Sequence, residues 1–196
     1  MDTKTRIFHV ALRLFAASGV ENVSMRDIAD TVGIKAASIY NHYINKEQIV
    51  EACYDYFLQY NSLERLNKEQ YTAILLNGTK QDVINITLEQ FSQDIAEYLT
   101  YAMIVLFSRI YTDEKAEEIY TIHLDRSLQF LSELFETGIE LGRFESFNVR
   151  AVSQVQLSTR LFAAQFTFLQ LKSIQDPSLS QQEMAAELIN ILPFKY

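Results

Sequence analysis

The chain has 196 residues, with 17 Lys and Arg against 25 Asp and Glu for a formal net charge of −8, and only five Gly, two Pro and one Cys. That is a globular composition, long enough to bury about 70% of its extended surface without metal or disulfide staples. The single Cys53 excludes an internal disulfide and every Cys-rich zinc module, and the shortage of turn formers argues against all-β and parallel α/β folds. The expectation is an all-α protein of a reducing, cytoplasmic compartment.

The charge is unevenly spread. Residues 1–50 hold six Lys and Arg against five Asp and Glu, whereas residues 51–196 hold eleven against twenty. Only the N-terminal quarter therefore suits a polyanionic partner. The apolar stretch from Ile7 to Ser18 is interrupted by His9 and Arg13, which a signal peptide does not tolerate well. The run Tyr101 to Phe107 is far shorter than the roughly 20 residues a bilayer requires, so neither export nor a membrane partner is expected.

In chain order, Asp2–Ser18 places Ile7, Val10, Ala11, Leu14 and Phe15 on one stripe and predicts an amphipathic helix stopped by Gly19. Ser24 is an N-cap for Met25–Val32, with Asp27 at the third helical position and Gly33 as the stop. A third helix is predicted over Ala36–Tyr43. Asn45 caps a fourth, which carries Ile49, Cys53, Phe57 and Tyr60 at helical spacing. Lys68–Leu76 ends at Asn77-Gly78, and Thr79 with Asp82 forms a capping box for a helix through Phe91. Asp94–Tyr111 is apolar nearly all round and predicts a buried central helix. Long helices follow over Asp113–Gly142 and Asn148–Lys172, and Ser180–Leu192 closes the chain between Pro177 and Pro193. A domain boundary is expected near residue 46, dividing residues 1–46 from 47–196.

Residues 25–44 are the most informative window. Ala29 sits where two short helices cross closely, Gly33 four residues later suits a positive φ, and Ile39 plugs the angle between the helices. With Ile28, Val32 and Ile34 completing a small core, Lys35, Ala37, Ser38, Asn41 and His42 face outward on the second helix. This is helix-turn-helix spacing, and such a helix fits the DNA major groove. An ordinary helical hairpin in a bundle shares the Ala and Gly spacing.

The lead helix with Leu14-Phe15 and Gly19, Ser24-Met25-Arg26-Asp27-Ile28-Ala29, Gly33-Ile34, Ser38-Ile39-Tyr40-Asn41-His42-Tyr43 and Lys46-Glu47 together resemble the TetR family of bacterial transcriptional regulators. The resemblance covers about residues 5–55; beyond them only helical layout and length match. It implies a homodimer with an N-terminal three-helix DNA reader and a larger C-terminal helical domain for effector binding and dimerisation. It further implies that Arg26 reaches a guanine, that Ala36, Ala37 and Tyr40 face bases, and that Ser38, Asn41, His42 and Lys46 hold the DNA backbone. These roles are chemically compatible, since Arg is bidentate to guanine and alanine methyls touch only thymine methyls. Two adjacent alanines make a thin reading surface, so specificity is expected largely from Arg26, Lys35, Tyr40 and DNA shape.

Several residues have plainer readings. Tyr40 and Tyr43 also suit packing of the third helix, Tyr43 above all. His9 and His123 lack neighbours at metal-ligand spacing, so no metal or cofactor is expected. Cys53 lies on an apolar face as a small buried residue. Gly138 and Gly142 fit either a close helix approach at a dimer interface or, for Gly142, a C-cap. No catalytic motif is present, so the chain is not expected to be an enzyme. Dimerisation is expected through helices 119–141 and 149–172, whose apolar residues (Leu124, Leu128, Leu131, Leu134, Phe135; Val152, Val155, Leu161, Phe162, Phe166, Leu169) exceed one stripe. For a hydrophobic or aromatic effector the candidates are Tyr98, Tyr101, Met103, Phe107, Tyr111, Phe130, Phe162 and Phe166, with Phe91 nearby and Arg109 as a lone cation. The alternative to a ligand-responsive repressor on a palindromic operator is a helical ligand-binding or interaction protein without specific DNA binding.

Overall fold

The structure, a computed structural model, describes residues 2–62, 66–88 and 93–159. Among these residues every regular element is helical: α1 (Thr3–Ser18), a 3-10 turn (Val20–Asn22), α2 (Met25–Val32), α3 (Ala36–Ile39), α4 (Lys46–Ser62), α5 (Lys68–Asn77), α6 (Lys80–Leu88), α7 (Gln93–Arg109) and α8 (Glu114–Glu140). A ninth, α9, is described over 149–159. The expected helix ends at Phe91 and Lys172, and the helix Ser180–Leu192, lie outside the described residues. No helix among the described residues is long and apolar enough to cross a membrane.

Helix starts follow the local chemistry of the chain. Asp2 accepts from the Thr5 amide at 3.0 Å, Asn67 and Gln70 close a reciprocal capping box, and Thr79 does the same with Asp82. Asp113 accepts from the amides of Lys115 and Ala116 ahead of α8, and Asn148 accepts from Ala151 ahead of α9. Each side chain satisfies an N–H that the first helical turn leaves without a partner.

The chain divides into two compact units, residues 1–63 with 91–121 and residues 64–90 with 122–196. In the first, α1 packs against α2, α4 and α7, and α4 packs against α7. The buried face of α1 comprises Ile7, Phe8, Ala11, Leu12, Phe15 and Ala16, while Val10 and Leu14 are only half-buried. This differs from the expected single stripe because α1 is covered from more than one side. Helix α7 buries Leu99, Tyr101, Ala102, Val105 and Leu106 but leaves Phe107 38% exposed. It is therefore buried on one face rather than all round. Helices α4, α7 and the first turns of α8 belong to the same unit as α1 to α3, so this unit extends well past residue 46.

The second unit has its own apolar core of Tyr71, Leu75, Val83, Ile86, Leu131, Leu134, Phe135, Phe144 and Leu157. Phe135, Phe144 and Phe147 meet edge to face, the arrangement ring quadrupoles favour. Gly138 makes room for this: a Cβ there would lie 2.3 Å from the Phe144 ring. Gly142 ends α8 at φ 71°. Within the described residues, then, Gly138 serves a close approach inside its own chain.

Candidate functional site

The candidate DNA-reading face is built on α2 and α3. Ser24 and Asp27 form a reciprocal capping box at the start of α2, and the Ser24 hydroxyl and amide hold the Asp27 carboxyl below its ordinary range. The far end closes on Gly33 in the left-handed region, φ 80° and ψ 35°. Its amide donates to the Asp30 carbonyl at 3.2 Å and the Ile34 amide to the Ala29 carbonyl at 3.0 Å. This paired closure is the Schellman pattern, and it aims the chain out of α2 into α3 at a fixed angle. Ile28, Ala29 and Ile39 are fully buried at the crossing.

The second helix is shorter than the predicted Ala36–Tyr43. Four residues, Ala36–Ile39, are α-helical. Asn41 then donates to Ser38 and His42 to Ile39 across three residues, tightening the backbone into a turn. Asn45 caps α4 only three residues later, accepting from the Gln48 amide at 2.9 Å, so the chain has no room for a further α-turn.

On this frame Arg26, Lys35, Ala37, Tyr40 and Asn41 are exposed, and Ala36, Ser38 and His42 are half-exposed. Tyr40 is 55% exposed, whereas Tyr43 is buried at 5%. Tyr43 packs under the Lys4 ammonium, 5.4 Å from its ring centre, and burial pushes its hydroxyl up to about 12. Sequence reasoning missed Ile44, which follows it and is 76% exposed; as a large apolar side chain after a predicted helix it carried no motif. Lys46 is half-buried and donates to the Val20 carbonyl at 2.8 Å. That contact uses one of its three N–H donors. Arg6 donates to the Val32 carbonyl, also at 2.8 Å. The two cations tie α4 to the turn after α1, and α1 to the end of α2.

Among the described residues the effector candidates divide between the units, with Tyr98, Tyr101, Met103, Phe107 and Tyr111 in the first and Phe130 in the second. Tyr98 stacks on His9 with ring centres 4.0 Å apart and lies under Arg13, which pairs with Glu97 at 3.1 Å. Tyr101 is buried and donates to Glu97 at 2.9 Å. Met103 is half-buried, Phe107 packs on Tyr120, and Tyr111 is 90% exposed. Phe130 belongs to the second unit and packs edge-on to Tyr71. Phe91, Leu161, Phe162, Phe166 and Leu169 lie outside the described residues. Arg109, the lone cation expected beside the aromatic candidates, is ion-paired with Glu21, Glu47 and Asp113. Cys53 is fully buried, and its thiol donates to the Ile49 carbonyl.

With this geometry in place, residues 7–53 match the model of bacterial regulatory proteins, tetR family. The N-terminal segment is of the TetR family. The chain is 41% identical over 61 residues to the biofilm operon icaADBC HTH-type negative transcriptional regulator IcaR of Staphylococcus epidermidis, covering 29% of this chain and 33% of that protein. It is 37% identical over 57 residues to the HTH-type transcriptional repressor KstR2 of Mycolicibacterium smegmatis, covering 29% of this chain and 28% of the relative. The match thus spans about a third of these curated relatives. The fold likeness extends further. The ketosteroid transcriptional regulator KstR2 of Mycobacterium tuberculosis superposes with a TM-score of 0.67 at 17% identity, covering 99% of this chain and 96% of that one. AibR in complex with isovaleryl coenzyme A and operator DNA superposes at 0.61 with 18% identity, covering 98% and 100%. The helix-turn-helix segment that matches the tetR family model therefore sits in a chain whose fold likeness to these all-α proteins extends over nearly its whole length.

Proposed function

We propose that this chain is a ligand-responsive transcriptional repressor that binds a palindromic operator as a homodimer and leaves it when a small hydrophobic or aromatic effector binds. The observation that carries the reading is the exposed face of α2 and α3. Arg26, Lys35, Ala37, Tyr40 and Asn41 stand clear of a buried crossing of Ile28, Ala29 and Ile39. In this reading Arg26 contacts a guanine, Ala36, Ala37 and Tyr40 meet bases, and Ser38, Asn41, His42 and the two free donors of Lys46 grip phosphates. The functional division falls near residue 46, with the reader before it and the effector and dimerisation parts after it. The names of IcaR and KstR2 as negative regulator and repressor support repression. The AibR complex with both an acyl-coenzyme A and operator DNA supports a small-molecule signal. Rings on α7, Tyr98, Tyr101 and Phe107, favour an apolar effector.

The test is duplex binding by the purified chain across a salt series, with sedimentation to give the mass. A dimer whose affinity falls as a steep power of salt, with one selected palindrome bound far more tightly than random duplex, supports the reading. Absence of any shift at low salt overturns it in favour of a helical ligand-binding protein, and a monomeric mass at micromolar concentration removes the palindrome. A thermal-shift screen of lipophilic compounds then tests induction. Compounds that stabilise the chain yet leave operator affinity unchanged break the effector part alone.

A further inference from the structure

Helix α7 holds the reading head at both of its ends. Near its start Tyr98 stacks on His9 of α1 and Glu97 pairs with Arg13. At its last residue the Arg109 guanidinium, with a side chain only 14% exposed, meets three carboxylates from three elements. Nη1 lies 2.9 Å from Glu21 in the 3-10 turn after α1, Nη2 lies 3.4 Å from Glu47 in the first turn of α4, and Nε lies 3.6 Å from Asp113 ahead of α8. Tyr54 of α4 donates to Asp113 at 2.9 Å and completes the group. Lys46, beside Glu47, holds the same 3-10 turn through the Val20 carbonyl.

We propose that Arg109 is the positioning residue that sets the angle of the reading head against α7, and so fixes which spacing between operator half-sites the dimer accepts. The proposal rests on the dimeric DNA-binding reading above. Its physical basis is charge balance. One cation stands among three carboxylates, so without it Glu21, Glu47 and Asp113 are left facing one another and repel. That repulsion separates the turn after α1 and the start of α4 from the end of α7. Single exposed ion pairs contribute little, but a guanidinium largely withdrawn from solvent and shared by three elements acts as a joint rather than as a pair. Arg109 itself touches none of the residues proposed to contact DNA, so it acts only through orientation.

The experiment uses all 196 residues of the chain and its own selected palindrome, rebuilt as duplexes with the half-sites one or two base pairs closer or further apart, together with a duplex carrying one half-site. Wild type is expected to prefer one spacing by about tenfold or more over its neighbours, and Arg109→Met to reduce that preference to about threefold while single-half-site affinity stays within about twofold of wild type. Arg109→Lys should recover part of the preference, since it restores charge without the planar fork. Should Arg109→Met fail to fold, as judged by its helical circular dichroism, the doubly substituted Glu21→Gln, Glu47→Gln chain disconnects the head while keeping Arg109 and should broaden spacing in the same way. A variant that retains the wild-type spacing preference overturns the proposal, as does one that loses affinity for every duplex in equal proportion. If wild type shows no spacing preference, the palindromic dimer reading fails first and the joint fails with it.

Discussion

The reading head and the core of the second unit solve opposite problems. In the head, positions are set by backbone closures between small residues: the Ser24–Asp27 box, the left-handed Gly33 and the buried Ala29. In the second unit they are set by interlocked rings, with Phe144 wedged over Gly138 and edge-on to Phe135 and Phe147. A head built from turns can leave its polar and aromatic side chains free in solvent, whereas a core built from rings uses its large side chains to hold itself together. Substitutions in the first are expected to change what is bound, and in the second whether the chain stays folded.

The largest effect expected under this contrast is in the ring core. Phe144→Ala should lower unfolding stability by about 3–5 kcal/mol, read by denaturant titration, while leaving duplex affinity at low temperature near wild type. An equal loss of DNA affinity would break the contrast. Gly138→Ala approaches the same ring from the other side, with a new Cβ at 2.3 Å from it, and should cost about 1–3 kcal/mol through overpacking.

Next come the cations proposed to face DNA. Arg26→Ala should weaken binding to the selected palindrome by about 1–3 kcal/mol and relax its sequence preference. Lys46→Ala should weaken selected and random duplexes alike and reduce the salt slope by about one. Equal weakening of every duplex by both variants would make Arg26 a phosphate contact. Ser24→Ala removes the cap of α2 and should cost about 1 kcal/mol of stability, seen in the thermal midpoint.

The smallest effect is a dependence on pH. Burial, with Arg13 as the lesser cause, holds the His9 imidazole below its ordinary range. The unfolded chain therefore takes up a proton first as pH falls through about 6.5. The stability linked to His9 is complete above that pH and is lost below it, until the folded ring protonates as well. Thermal midpoints between pH 7.5 and 5 should fall, and His9→Gln should flatten that part of the curve. An unchanged slope in the variant would remove His9 as the source.

Legibility in the sequence followed the same divide. Caps and stops such as Ser24, Asp27, Gly33, Asn45, Thr79 and Asp82 could be read because each acts within a few residues of itself. The predicted extension of α3 to Tyr43 overlooked how soon Asn45 restarts the helix. Phe8, Leu12 and Ala16 were missed as buried because α4 and α7, which pack on α1, come far later in the chain, Phe8 meeting Tyr56 of α4. The ion pairs of Arg109 were not foreseen for the same reason. Its partners Glu21 and Glu47 are 88 and 62 residues distant, and only Asp113, four residues on, was within reach of a local rule. The exposed face of the head was legible residue by residue, whereas the grouping of aromatic effector candidates depends on packing that no spacing reports.

The brevity of α3 has a consequence in the currency of information. Four helical residues advance about 6 Å, and a duplex rises about 3.4 Å per base pair, so in the proposed reading the helix would face about two base pairs. A fully specified base pair carries about two bits, so two half-sites read this way supply about eight, a match roughly once in 250 positions. A genome offers about 10⁶ or more competing sites. Under the proposed function, most of the address must then be written outside the letters that α3 would read, in the proposed Arg26 contact, in the distance between half-sites and in the stiffness of the DNA that joins them.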